Sequence, residues 1–147
     1  MIARRPLGER GSFTFAIVFW ALVTMMLAGL VVDGGLALTE RQRAGDIAEQ
    51  AARAGADDLN PDLLRIGTYK LVDGACGRAT AVAAASGVDA NLVTCGPIGS
   101  VTLPNGLVVP TITVTIQIHY TPILIGIVYS GNFIANASAT AHPQPGP

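Results

Sequence analysis

The chain has 147 residues, enough for one modest domain and an accessory segment but too few for two enzyme-sized cores. Its formal net charge of -1 shows no excess of Lys and Arg such as phosphate binding requires, which argues against a nucleic-acid-binding protein. Only 13% of the residues are charged and 50% are hydrophobic, whereas soluble domains average about 25% charged. Part of the chain is therefore predicted to lie in lipid.

A long uncharged run follows a short basic leader. Residues 1–12 are predicted to form a cytoplasmic leader and Phe13–Val32 a transmembrane helix, since 20 helical residues cover about 30 Å, the thickness of the hydrocarbon core. A secretory signal has an apolar stretch of only about 7 to 15 residues, so a cleaved leader is the minor alternative. Within the span, Ala21, Ala28 and Gly29 are small enough to serve in helix packing.

The orientation of the span follows from the charges that flank it. Arg4, Arg5 and Arg10 precede the span, whereas Arg41 and Arg43 follow it at a distance. Because positive residues accumulate on the cytoplasmic side, this asymmetry favours a cytoplasmic amino terminus and an extracytoplasmic domain.

The two cysteines point to the same side of the membrane. Cys76 and Cys95 lack the spacing of a zinc or CxxC redox motif. A structural disulfide between them is the better interpretation, and it requires an oxidising compartment. In the chain-entropy model such a bond contributes roughly 3 kcal/mol to stability.

The helix is predicted to continue beyond the membrane over residues 33–60, with a bend at Gly34 and Gly35, because glycine weakens a helix by about 1 kcal/mol. Its alanine-rich face is expected either to pack on the chain's own sheet or to contact a partner. Asn60 is predicted to cap a new helix at Pro61. This second helical stretch reaches Ala85, is interrupted by Gly67, Gly74 and Gly77, and ends at Gly87.

The carboxyl half is predicted to be rich in strands. The segment after Pro110 alternates apolar and polar side chains from Thr111 to Tyr120, and the segment Phe133–Ala141 alternates in the same way, so the two are expected to pair antiparallel. Shorter strands near 92–95 and 101–103, with a turn at 104–106, complete a small sheet. Residues 143–147 are predicted to be a disordered tail.

An apolar connector, TPILIGIVYSG, joins the two long strands. It is too short to cross a bilayer. The sequence leaves two interpretations open, a buried connector or an exposed patch that touches the membrane or another subunit.

No constellation of residues indicates catalysis. His119 lies on a strand and His142 near the tail, without an acidic cluster or a phosphate-binding loop beside them. We therefore predict no catalytic, cofactor-binding or metal-binding residues and no small-molecule substrate.

Several of these features occur together in one known family. The run Arg10-Gly11-Ser12, the uncharged helix, Val32-Asp33-Gly34-Gly35 and the alanine-rich AEQAARAGA resemble the amino-terminal module of TadE/TadG-like proteins of tight-adherence (Flp-type) pilus assembly. The similarity covers residues 9 to 60. It implies a non-enzymatic single-pass envelope protein that assembles or anchors a thin pilus together with other pilus or Tad apparatus subunits.

One departure from pilin-like precursors bears on processing. The resemblance makes Gly11 and Ser12 a candidate processing site, but the fifth residue after Gly11 is Ala16 rather than the glutamate that would pair with the new amino group of a neighbouring subunit. An uncleaved anchor is therefore preferred. A processed minor pseudopilin and a secreted binding module with a cleaved leader are the alternatives.

The expected fold is α+β and pilin-like. The long amino-terminal helix continues into a small extracytoplasmic domain, residues 61–142, in which one or two helices pack on an antiparallel sheet of three to four strands.

Overall fold

The computed structural model describes residues 10–128 and 131–144. The predictions for Arg4 and Arg5, for most of the leader 1–12 and for most of the tail 143–147 lie outside these ranges. Pro143 is described and is buried, so the first residue of the predicted tail packs against the domain.

One helix dominates the architecture. Helix α1 runs from Arg10 to Ala56, 47 residues or about 70 Å. It passes through Gly34 and Gly35 without a break and ends four residues before Asn60, the predicted end. The continuous helix joins the apolar segment directly to the residues that build the core of the domain.

The second helical stretch consists of two separate helices. Asn60 caps α2, Pro61–Arg65, through hydrogen bonds that its side-chain oxygen accepts from the amides of Asp62 (3.0 Å) and Leu63 (3.2 Å), as the sequence predicted. Helix α3 covers Ala75–Ala85, and Gly87 follows it with φ +84°, a conformation that glycine adopts readily.

A four-stranded antiparallel sheet confirms the predicted fold class. Its strands are β1 (Val93–Cys95), β2 (Gly99–Thr102), β3 (Val108–Tyr120) and β4 (Phe133–Ala141). Strand β3 is central, because β1, β2 and β4 all pair with it. A short helix, α4 (Ile125–Val128), lies in the connector between β3 and β4.

The core lies between the sheet and the two longer helices. The alternation of β3 places Ile112, Val114 and Ile116 on the helix-facing side, each at most 1% exposed. Small side chains on the helices meet them, so the helices approach closely; these are Ala44, Ala48, Ala51, Ala52 and Ala56 of α1 and Ala75, Ala79 and Ala83 of α3. Most of the alanine-rich face of α1 therefore packs on the chain's own sheet.

The opposite face of the sheet is polar. Thr113 of β3 shares a hydrogen bond of 2.7 Å with Thr140 of β4, and Thr115 shares one of 2.8 Å with Ser138. Such cross-strand pairs fix the register of the two long strands.

Candidate membrane interface

The amino-terminal half of α1 lies outside the domain. The helix segment Phe13–Ala56 is long enough, and contains a stretch apolar enough, to cross a membrane. From Phe13 to Val32 almost none of it is buried by the rest of the described chain. Trp20 is 65% exposed and Met26 80% exposed. Large apolar side chains displayed around a helix in this way require an apolar environment, which a bilayer supplies.

A single carboxylate marks the end of this apolar segment. Asp33 is only 3% exposed, and it accepts hydrogen bonds from three successive backbone amides of the connector. The amide of Ile123 donates to Oδ1 (2.9 Å), that of Leu124 to both oxygens (3.2 and 3.1 Å), and that of Ile125 to Oδ2 (2.7 Å). Asp33 thus ties α1 to the connector, 90 residues away in the chain.

These hydrogen bonds favour the charged form of Asp33, which lies just beyond the span. The amide of Ile125 is the largest cause that lowers the pKa of the Asp33 carboxyl, burial opposes it, and the amides of Leu124 and Ile123 lower the pKa further. Since the pKa is lowered in the folded state, the stabilisation is present above the ordinary pKa of aspartate and is lost as the pH falls through the lowered value.

The connector also packs against the span itself. A Cβ atom built on Gly29 would lie 3.0 Å from Cδ1 and 3.3 Å from Cβ of Leu124. A side chain at position 29 would therefore require Leu124 to shift by a few tenths of an ångström. Beside the contact lies an open groove whose surface is mainly apolar; it is lined by Leu22, Met25, Met26, Leu27, Gly29, Leu30, Leu124 and Ile125.

The small residues predicted for helix packing have different surroundings. Gly29 is covered by Leu124 of its own chain, whereas Ala21 and Ala28 are exposed on the helix surface. Gly11 and Ser12, the candidate processing site, lie in the first turn of α1, and their surroundings fall outside the described part of the structure.

Cys76 and Cys95 are joined by a disulfide with a Cα–Cα distance of 6.1 Å. The bond connects α3 to β1. It therefore fixes α3 to the sheet covalently.

A shallow pocket beside the end of β3 brings several polar side chains together. Glu40 of α1 and His119 of β3 line the same shallow pocket, together with Tyr120 and Asn132. Within residues 10–128 and 131–144, no three side chains of His, Cys, Asp or Glu converge as metal ligands. The side chain of His119 is exposed on the polar face of the sheet, as the alternation predicted.

The sequence analysis missed the role of Asp33. A signal was available, since an ionisable residue directly at the end of an apolar span is costly unless it has partners. The identity of those partners has no local signature, because they lie in a distant connector.

Comparison with known proteins supports the assignment of the amino-terminal segment. Residues 11–58 match the family model described as putative Flp pilus-assembly TadE/G-like. The match covers about a third of the chain and confirms the resemblance drawn from the sequence. Neither the curated proteins nor the solved structures contain a match to this chain.

Proposed function

We propose that this chain, whose residues 11–58 are of the TadE/G-like family, is a non-enzymatic single-pass envelope protein that assembles or anchors a Flp-type pilus. The observation that carries the proposal is the form of α1. One continuous helix supplies both an exposed apolar span and the buried alanine face of the domain. Such a chain holds a folded domain at a fixed place on a membrane.

The domain faces the extracytoplasmic side in this proposal. Arg4, Arg5 and Arg10 precede the span and favour a cytoplasmic amino terminus. The disulfide between Cys76 and Cys95 supports the same orientation, because disulfides persist in oxidising compartments.

Contacts with other pilus subunits use two surfaces. Inside the membrane, Ala21 and Ala28 lie seven residues apart, or two helical turns, and so on one face of α1. Small residues at such a face let a second helix approach closely. Gly29 does not contact the second helix in this proposal, because Leu124 of the same chain already packs against it. Outside the membrane, the domain supplies the remaining contacts.

Photo-crosslinking tests the proposed pairing. A photoreactive amino acid at position 28 of the full chain, in cells that make the pilus, is expected to capture another subunit of the assembly apparatus. Position 26 is the matched control, because Met26 is exposed but lies about 200° around the helix from Ala28. Mass spectrometry identifies the adducts.

Two results would count against the proposal. Capture of no envelope protein from position 28 would contradict pairing through this face. Equal capture from both positions would show that the small residues do not select the partner.

A further inference from the structure

We propose that the first eight residues of the connector, Thr121–Val128, form a second membrane contact, which enters the hydrocarbon of the leaflet on the domain's side. Its partner is the acyl chains of the lipids. This inference rests on the proposed function, in which Phe13–Val32 spans the membrane. It adds to the membrane-embedded part a connector that is far too short to cross the bilayer.

The first argument is the depth of the connector relative to the end of the span. Leu124 contacts Gly29, which lies three residues before Val32, the last residue of the span. Three residues of helix correspond to about 5 Å. The side chain of Leu124 therefore reaches about 5 Å into the hydrocarbon from the end of the span. Because the helix fixes this depth, a membrane around Phe13–Val32 must also surround this part of the connector.

The side chains of the connector suit that environment. Thr121–Val128 contains no charged residue. Ile123 is 61% exposed and Ile125 38% exposed. The groove between the connector and the helix opens along Leu22 to Leu30, about 12 Å of span, and all the side chains that line it are apolar. An acyl chain continuous with the surrounding lipid fits this groove.

The backbone amides of the connector also have hydrogen-bond acceptors within the protein, as a segment in lipid requires. In hydrocarbon an irregular backbone is tolerated only where its polar groups find partners within the protein. The carboxylate of Asp33 accepts from the amides of Ile123, Leu124 and Ile125, which precede or begin the short α4 and so lack helical acceptors. The same contacts spare Asp33 an unpaired charge at the membrane boundary. Asp33 is a positioning residue for this lipid contact.

Fluorescence quenching in vesicles tests the inference. The two cysteines of the sequence are joined to each other, so a single introduced cysteine provides a unique thiol for a fluorophore. The full chain is labelled at Ile123→Cys and reconstituted in phosphatidylcholine vesicles. Quenching is measured with doxyl-labelled lipids and, separately, with iodide on both sides of the bilayer.

Two control positions calibrate the signals. Leu30→Cys reports the span, where the side chain is 62% exposed. Ile98→Cys reports water, because Ile98 is an isoleucine of similar exposure, 58%, next to Gly99. Gly99 pairs with Thr111, nine residues or about 30 Å along β3 from the end that meets the connector.

The label at 123 is expected to be quenched by doxyl lipids as the label at 30 is. Its iodide quenching should be at least about fivefold weaker than that of the label at 98, because an ion is excluded from hydrocarbon. If iodide quenches the label at 123 while doxyl lipids quench the label at 30, the inference is overturned but the span is not. Protection of 123 from both quenchers would also overturn it, since protein would then cover the connector. Iodide quenching at 30 would contradict the span itself.

Discussion

Replacing Gly55 with alanine is expected to lower the free energy of unfolding by about 2 kcal/mol, although alanine favours helices. An added Cβ would meet Cδ1 of Ile112 at 3.0 Å, the carbonyl oxygen of Ala75 at 3.1 Å and Cβ of Ala79 at 3.3 Å. Two of these atoms belong to α3, which the disulfide at Cys76 ties to the sheet. The helix therefore cannot move away freely to make room.

The matched control is the same substitution at Gly45. This glycine also lies within α1, but its nearest neighbour would be Cβ of Ala137 at 3.9 Å, an ordinary contact. Gly45→Ala is therefore expected to stabilise the protein by up to about 1 kcal/mol. Pulse proteolysis across a urea series, on the full chain in detergent micelles, measures both variants. Equal effects at the two positions would show that the packing of α3 on α1 is looser than described.

Replacing Asp33 with alanine is expected to release the connector from α1. The amides of Ile123, Leu124 and Ile125 lose their shared acceptor, so their hydrogen exchange should accelerate by at least about tenfold. Asp33→Asn should give a smaller effect, because the amide retains one acceptor oxygen but presents its own donors to the others.

Asp46→Ala is the control for the Asp33 variants, since Asp46 is an exposed aspartate on the same helix. The amides of β3 provide an internal reference, because they remain protected if the domain is folded. Unchanged exchange in the connector of the Asp33→Ala protein, with a folded sheet, would show that the carboxylate does not hold this segment.

Local patterns predicted the elements that depend on near neighbours. The alternation after Pro110 placed Ile112, Val114 and Ile116 on the buried side of β3, and it predicted the pairing with β4. Asn60 before Pro61 predicted the start of α2. In each case the residues that determine the structure lie within a few positions of it.

Other features depend on contacts that the sequence does not reveal. Helix α1 continues through Gly34 and Gly35, and distant contacts hold it on both sides of them, since Asp33 binds the connector and Ala44 packs in the core. The bend at these glycines stays a prediction. Gly77 was expected to interrupt a helix and instead lies within α3.

The candidate membrane interface was predicted only in part. The span is visible in the sequence, because length and composition suffice to find it. The choice between a buried and an exposed connector depends on where Asp33 and Gly29 meet it, 90 or more residues along the chain. A contact between residues so far apart produces no periodic pattern in the sequence.

Extraction of membranes tests the central claim, that Phe13–Val32 stays in a bilayer and carries the folded domain. Membranes from cells that produce the full chain are washed with alkaline carbonate and then dissolved in detergent, and the recovered chain is analysed by intact mass. We expect the chain to remain in the pellet, enter solution only with detergent, and retain the Phe13–Val32 segment in one polypeptide with its domain. Recovery of that intact polypeptide in the carbonate wash would contradict the account.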